Sequence, residues 1–306
     1  MAKPVPAPTK VDGNLTLEIA RITERAAIAA AGWRGRGDEM RADQAAVEAM
    51  HLALSNIDIA GTIVIGEGRN VPLLSFEEAV GTGKGPEIEV AVDPLEGVTG
   101  CAKNLSDSLS VMAFAERGAL LRVPDAYMEK VAIGPGYPEG IVDLDKSATE
   151  NVAALAEAKG VATSDIVTCV LDRPRHAALI AELRNLGVAG KLLPDGDIAA
   201  VIHAANSDDT GIDIYLGSGG AHEGVLAAAA MRCMGGQMQG RLILDTSDKR
   251  TQAREMGPSD PTVKFSAQDM AKGDVLFAAT GVTDGSLLRG VKLMPRKIVT
   301  SSVVMR

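Results

Sequence analysis

Residues 88–97 read Ile88-Glu89-Val90-Ala91-Val92-Asp93-Pro94-Leu95-Glu96-Gly97. The apolar run predicts a strand. Asp93-Pro94 is where that strand should stop, because proline cannot donate to a β-ladder. Proline also fixes its own φ near the helical value, so an early helical turn is expected from Pro94 onward. Asp93 and Glu96 can then point to one side, with the Leu95 carbonyl between them. A similar arrangement lies upstream, where the short apolar strand Thr62-Ile63-Val64-Ile65 runs into Gly66-Glu67-Gly68. Each strand thus delivers an acid at its carboxyl end, beside a Gly or Pro that stops it. Active sites collect at such ends, since the sheet holds the groups rigid while the loops stay open to ligand.

Working outward, Leu15, Ile19, Ile22 and Ala26 recur at helical spacing, and a second helix is expected over 42–56. The glycine-rich stretch 32–38 separates the two. Strands are expected over 108–114 and 128–133. From about residue 148 helices and strands alternate: helix 148–159, strand 166–171, helix 175–186, strand 191–193, helix 198–205, strand 212–216 and helix 220–234. Segment 247–261 is polar and reads as a surface excursion, followed by late strands at 274–280 and 299–305. The order is α/β. It divides into a flexible arm over 1–13, a carboxylate-bearing subdomain over 14–146 and a second α/β subdomain over 147–306.

The chain has 306 residues, 46% of them hydrophobic and only 3% aromatic, which suits helices packed on sheets and excludes a disordered chain. The formal charge is −9 and there is no Lys/Arg run, so neither nucleic acid nor an anionic membrane is an expected partner. An anionic substrate would need local cations to reverse that field. The N-terminus carries no apolar segment of the signal-peptide or membrane-spanning kind. Cys101, Cys169 and Cys233 are far apart and form no CxxC, so they read as isolated thiols of a reducing cytoplasm.

Asp43, Glu67, Asp93, Glu96 and Glu223 are acids at breaks in structure. A hard cation such as Mg²⁺ or Mn²⁺ takes oxygen ligands and keeps positions for water and phosphate. Any one of these acids taken alone reads equally well as a loop residue or a helix cap. Arg173 and Arg175 offer forked donors suited to phosphate, and otherwise read as a solvated helix start. Asp195 and Asp197 could accept bonds from sugar hydroxyls or form a capped turn.

Taken together, the segments 61–68 and 92–97 resemble class II fructose-1,6-bisphosphatases, including the cyanobacterial fructose-1,6-/sedoheptulose-1,7-bisphosphatase type. Ala42-Asp43, the segment 124–130, Asp172-Arg173-Pro174-Arg175-His176, Pro194-Asp195-Gly196-Asp197 and the segment 219–225 are similar too. The resemblance runs from about residue 15 to 305. It implies the layered α/β/α/β/α sandwich of the lithium-sensitive phosphatase superfamily. It also implies a cytoplasmic homodimer or homotetramer acting in gluconeogenesis or the Calvin cycle on a small-molecule sugar bisphosphate, through a metal-activated water. On this resemblance Asp43, Glu67, Asp93, Glu96 and Glu223 hold Mn²⁺ or Mg²⁺. Tyr127, Arg173, Arg175, Asp195, Asp197 and Gly220 contact the sugar phosphate, with Glu96, Gly97, Val98, Pro174 and Gly196 beside them. Asp43, Glu67 and Thr99 are the catalytic candidates.

Two departures from the family pattern bear on activity. The acidic stretch that follows Gly-Glu-Gly is replaced by the shorter Arg69-Asn70-Val71, which has no carboxylate. The Thr expected after Glu96-Gly97 is Val98, and Thr99 comes one residue later. One residue on a helical turn rotates a side chain by about 100°, so Thr99 is not a simple replacement. A Val cannot orient water, and such positioning is commonly worth ~10²–10⁴-fold in rate. Reduced turnover is therefore expected. A second reading stays open, in which the chain is a metal- and sugar-phosphate-binding homologue with a regulatory role.

Overall fold

The computed structural model describes residues 15–68 and 71–306. The arm over 1–13, and Arg69 and Asn70 of the shortened stretch, lie outside the described residues. Among the described residues the chain forms two six-stranded sheets and a two-stranded ribbon. The first sheet has the order β14-β11-β4-β3-β1-β2, built from β1 (Ala60–Ile65), β2 (Ala79–Val80), β3 (Glu87–Glu96), β4 (Leu109–Glu116), β11 (Val275–Gly281) and β14 (Ser302–Met305). The second has the order β10-β9-β5-β8-β6-β7, built from β5 (Tyr127–Ile133), β6 (Val167–Leu171), β7 (Ala189–Leu193), β8 (Ile214–Gly220), β9 (Gln237–Ile243) and β10 (Phe265–Ser266). The ribbon pairs β12 (Lys292–Met294) with β13 (Lys297–Val299).

Helices complete five layers, α/β/α/β/α. α1 (Leu15–Ala31) and α2 (Glu39–Leu54) cover the outer face of the first sheet. α1 turns Leu15, Ile19, Ile22, Ala26 and Ala30 inward at helical spacing, and α2 begins where the Asp38 side chain accepts the Arg41 N–H. These faces close a core with Val90, Val92, Met112, Phe114 and Leu276. α4 (Ala148–Lys159) and α5 (Ala177–Asn185) cover the far face of the second sheet, around Val131, Val152, Leu155 and Val170. Between the sheets lie α6 (Asp197–Ala205) and α8 (Ala221–Met234). Every residue of α6 is buried, and α8 runs Ala227-Ala228-Ala229-Ala230 through its centre. Helices sandwiched between two sheets must be apolar all round, and small side chains let both sheets approach. The short α3 (Val98–Lys103), α7 (Ser207–Thr210), α9 (Ser247–Met256) and α10 (Ala267–Met270) complete the helices.

The layered α/β sandwich matches the expectation, with local differences. β3 does not stop at Asp93. It passes through Pro94 to Glu96, with the register against β4 slipping between Asp93 and Glu96. A bulge of this kind absorbs the missing proline N–H without ending the strand. No helical turn begins at Pro94; α3 starts at Val98, after Gly97 at φ 77°. The polar segment 247–261 contains the helix α9, whose N-cap Thr246 accepts the Lys249 N–H. β9 had no counterpart among the expected strands. Sheet membership also departs from a simple cut at residue 146: β5 belongs to the second sheet, and β11 and β14 return to the first.

Candidate active site

The site follows from strand direction. β1 and β3 are parallel, so Glu67, just after β1, and Asp93, near the carboxyl end of β3, emerge at the same sheet edge. β6 is parallel to both β7 and β8. Their carboxyl ends lead respectively to Arg173 and Arg175, to Asp195 and Asp197, and to Gly220 and Glu223. The two edges face one another across a cavity of about 530 Å³. Asp43, Glu67, Asp93, Glu96, Gly97, Val98, Tyr127, Arg173, Arg175, Asp195, Gly196, Asp197, Gly220 and Glu223 all line it. Thr99 and Pro174 are not among the lining residues. Thr99 lies within α3 and Pro174 opens a 3₁₀ turn ahead of α5.

The five acids meet in this cavity, and their electrostatics follow from crowding. Burial raises the Asp43 carboxyl above its ordinary value. Glu67 is pushed up to about 7 by burial and by the charges of Asp43 and Glu223. Asp93 stands well above the usual carboxylate range through burial and then through Glu223, Glu67, Asp43 and Asp197. Glu96 is raised likewise by burial, Asp93 and Asp197, against the opposing effect of the Ile198 N–H. Burial and Asp197 raise Glu223, and Lys130 opposes them. Like charges gathered in a low dielectric cannot all ionise without a compensating cation.

Local backbone chemistry lets these acids converge. Glu96 Oε1 accepts the Ile198 N–H at 2.6 Å, while the buried Oε2 has no hydrogen-bond partner among the described residues. A Cβ at Gly220 would lie 1.9 Å from Glu223 Oε2, so a side chain there would drive the carboxylate out of place.

The same cavity also holds cations for an anion. Arg175 gives its Nε and Nη2 hydrogens to the Ser218 carbonyl at 3.1 and 2.8 Å and lies 4.9 Å from the Tyr127 ring centroid. These contacts fix the guanidinium plane and leave Nη1 for a ligand. Arg173 is held more loosely, by an ion pair with Asp195 at 3.0 Å that is about one-third exposed on each side.

Sequence reading missed several lining groups: Gly66, Gly219, His222 and the apolar Val92, Leu95, Leu171 and Leu226. It also missed Lys130, buried beside the cavity in an ion pair with Asp197. Its signal is a lone Lys ahead of Val131-Ala132-Ile133 in an apolar strand, where an unpaired ammonium would be costly.

The five acids present only oxygen donors, which suits a hard divalent cation. The partnerless Glu96 Oε2 and the mutual repulsion of the carboxylates fit such an ion. Among the described residues no three His, Cys, Asp or Glu form a ready-made metal-holding group.

The family model for "Bacterial fructose-1,6-bisphosphatase, glpX-encoded" matches residues 13–306. The chain belongs to this family. Similar relatives are named D-fructose 1,6-bisphosphatase class 2/sedoheptulose 1,7-bisphosphatase. Those of Synechococcus sp. (strain RCC307) and Synechococcus sp. (strain JA-3-3Ab) are 44% and 42% identical, each over 96% of this chain and 92% of the relative. The protein of Trichodesmium erythraeum (strain IMS101) is 40% identical with the same coverage. Among solved structures, the inositol monophosphatase from Anabaena (Nostoc) sp. PCC 7120 overlaps 62% of this chain and 70% of its own, at TM-score 0.33 and 11% identity, too little likeness to bear on the fold. Among the described residues no helix is long and apolar enough to cross a membrane.

Proposed function

We propose that the chain is a sugar bisphosphatase, hydrolysing the 1-phosphate of fructose 1,6-bisphosphate and accepting sedoheptulose 1,7-bisphosphate as well. The observation that carries this reading is a single cavity lined both by five mutually repelling acids and by Arg173 and Arg175. Asp43, Glu67, Asp93, Glu96 and Glu223 would hold Mg²⁺ or Mn²⁺, which when bound supplies Lewis-acid stabilisation of charge on the phosphoryl oxygens.

The chain's own residues supply orientation. Arg175, already braced by Ser218 and Tyr127, anchors a phosphate through Nη1. Arg173 joins by exchanging Asp195 for the ligand. Asp195 and Asp197 face the sugar and accept bonds from its hydroxyls. Phosphoryl transfer asks a protein chiefly for positioning and charge stabilisation, and this division of the cavity serves both.

One observation supports a second reading, a homologue that binds metal and sugar phosphate but turns over slowly. Val98 lines the cavity without a hydroxyl, and Thr99 is not among the lining residues. Phosphate release from fructose 1,6-bisphosphate with Mn²⁺ or Mg²⁺ separates the two. Rapid release by the wild type supports the enzyme. A silent wild type rescued by Val98→Thr supports the second reading. No release from either, with no binding by calorimetry, sinks both.

A further inference from the structure

Lys130 sits in the middle of β5 with its side chain wholly buried. Its ammonium forms an ion pair with Asp197 and donates to the Gly220 carbonyl at 2.7 Å. Both partners line the cavity, although Lys130 itself does not. We propose that Lys130 is the positioning residue for the sugar-binding wall, fixing Asp197 and the Gly220 peptide where a polyhydroxylated substrate meets them. This rests on the sugar-phosphate reading above.

Two elements leave room for this one ammonium. A Cβ on Gly219 would lie 1.9 Å from Asp197 Oδ2 and 3.3 Å from Lys130 Nζ. A Cβ on Gly224 would lie 3.1 Å from Lys130 Cε and 2.5 Å from the Met128 sulfur. Glycine at the end of β8 and in the first turn of α8 therefore keeps the pocket for the lysine open. Asp197 opens α6, directly before Ile198, whose N–H holds Glu96. The ammonium thus neutralises the Asp197 carboxylate beside the other acids and anchors the peptide that begins α8. A burial that served packing alone would not need both partners to be cavity residues. Without the ammonium, Asp197 would be a buried acid beside other acids and would turn or lose its hold on the substrate.

The test compares wild type with Lys130→Met and Gly219→Ala, the latter keeping the lysine but displacing Asp197. Three readouts are taken with Mn²⁺ present: steady-state kinetics on fructose 1,6-bisphosphate, kinetics on p-nitrophenyl phosphate, and calorimetric binding of fructose 1,6-bisphosphate. A positioning role predicts KM and Kd for the sugar bisphosphate rising at least roughly tenfold, the cost of a lost charge-assisted bond. Turnover of p-nitrophenyl phosphate, which has no sugar, should fall far less than that of the sugar bisphosphate. Equal losses on both substrates would reduce Lys130 to a structural residue and overturn the proposal, as would unchanged sugar affinity. If Lys130→Met does not fold, Lys130→Gln, which can still donate to the Gly220 carbonyl but lacks the charge facing Asp197, takes its place in the same readouts. Adding Asp197→Asn to Lys130→Met should cost nothing further in sugar affinity, and an additive loss would show that Lys130 does not act through Asp197. A wild type that binds but does not hydrolyse the sugar bisphosphate counts against the enzyme reading alone, and the calorimetric series still decides this one.

Discussion

Glu96 and Ile198 lie at the facing ends of β3 and α6, and the Glu96 carboxylate accepts the Ile198 backbone N–H at 2.6 Å. One carboxyl group thus joins the first sheet to the helix layer between the sheets. It satisfies a free amide of the first helical turn with one oxygen and offers its other, partnerless oxygen to the cavity.

Glu96→Gln separates these two duties. The amide oxygen can still accept from Ile198, while the charge disappears from a crowded acid wall. Activity with Mn²⁺ should fall at least ~10²-fold, the scale seen when one group stabilising transition-state charge is removed. The melting temperature of the metal-free protein should hold or rise, because the side chain's raised pKa already favours its neutral form. A large loss of stability together with activity would mean that the carboxylate is chiefly a structural link.

The acid wall also predicts how stability depends on pH. Glu67 is raised from 4.5 to about 7 in the folded chain. The folded state therefore holds a proton that the unfolded state has released, and its contribution to stability is full below pH 4.5 and lost as pH rises through 7. For Glu67 alone this amounts to about 3 kcal/mol. The metal-free protein should melt at progressively lower temperature between pH 5 and pH 8. Mn²⁺ favours the ionised carboxylates, so its stabilising increment should grow over the same range and its binding should release protons. Calorimetric scans with and without Mn²⁺ at each pH would check this, and a flat metal-free profile would contradict it.

Val98 lies at the first turn of α3, partly buried against the α1–α2 core and lining the cavity. Val98→Thr keeps the shape and adds a hydroxyl facing the acids. Phosphate release should rise by about tenfold or more if water positioning limits the rate. Stability should drop by about 1–3 kcal/mol where the new hydroxyl stays unpaired. An unchanged rate would show that another group already positions the attacking water.

Much of this site is legible in sequence because its acids and arginines follow apolar strands, and parallel strands bring such ends together. Glu67 and Arg173 fall just after apolar strands, Asp93 near the end of one, and Asp197 at the start of the helix that follows another. What sequence hides is pairing across long separations. β9 was missed because Gln237-Met238-Gln239-Gly240-Arg241 is mostly polar, yet it alternates burial and pairs with β5 along its whole length. The path of β3 through Pro94 was hidden for the opposite reason, since a local rule about proline is overridden by a bulge against β4. Lys130 could not be matched with Asp197 from sequence, because 67 residues separate them.

The two arginines should respond differently to substitution, because they are held differently. Arg175 is fixed before any ligand arrives, by two bonds to Ser218 and its stacking on Tyr127. A preorganised fork gives its full charge-assisted bond to phosphate, about 1.5–3 kcal/mol, so Arg175→Ala should raise KM roughly 10- to 150-fold. Arg175→Lys should recover little, since a lysine can neither occupy the Ser218 carbonyl with a planar fork nor hold the same face against the tyrosine. Arg173 must give up Asp195 to engage the substrate, and that exchange offsets part of its gain. Arg173→Ala should therefore cost less in KM, and Arg173→Lys should be the better tolerated of the two lysine variants. Steady-state kinetics on the four variants decides the matter: equal penalties at both positions, or full rescue of Arg175 by lysine, would show that the bracing by Ser218 and Tyr127 does not govern phosphate binding.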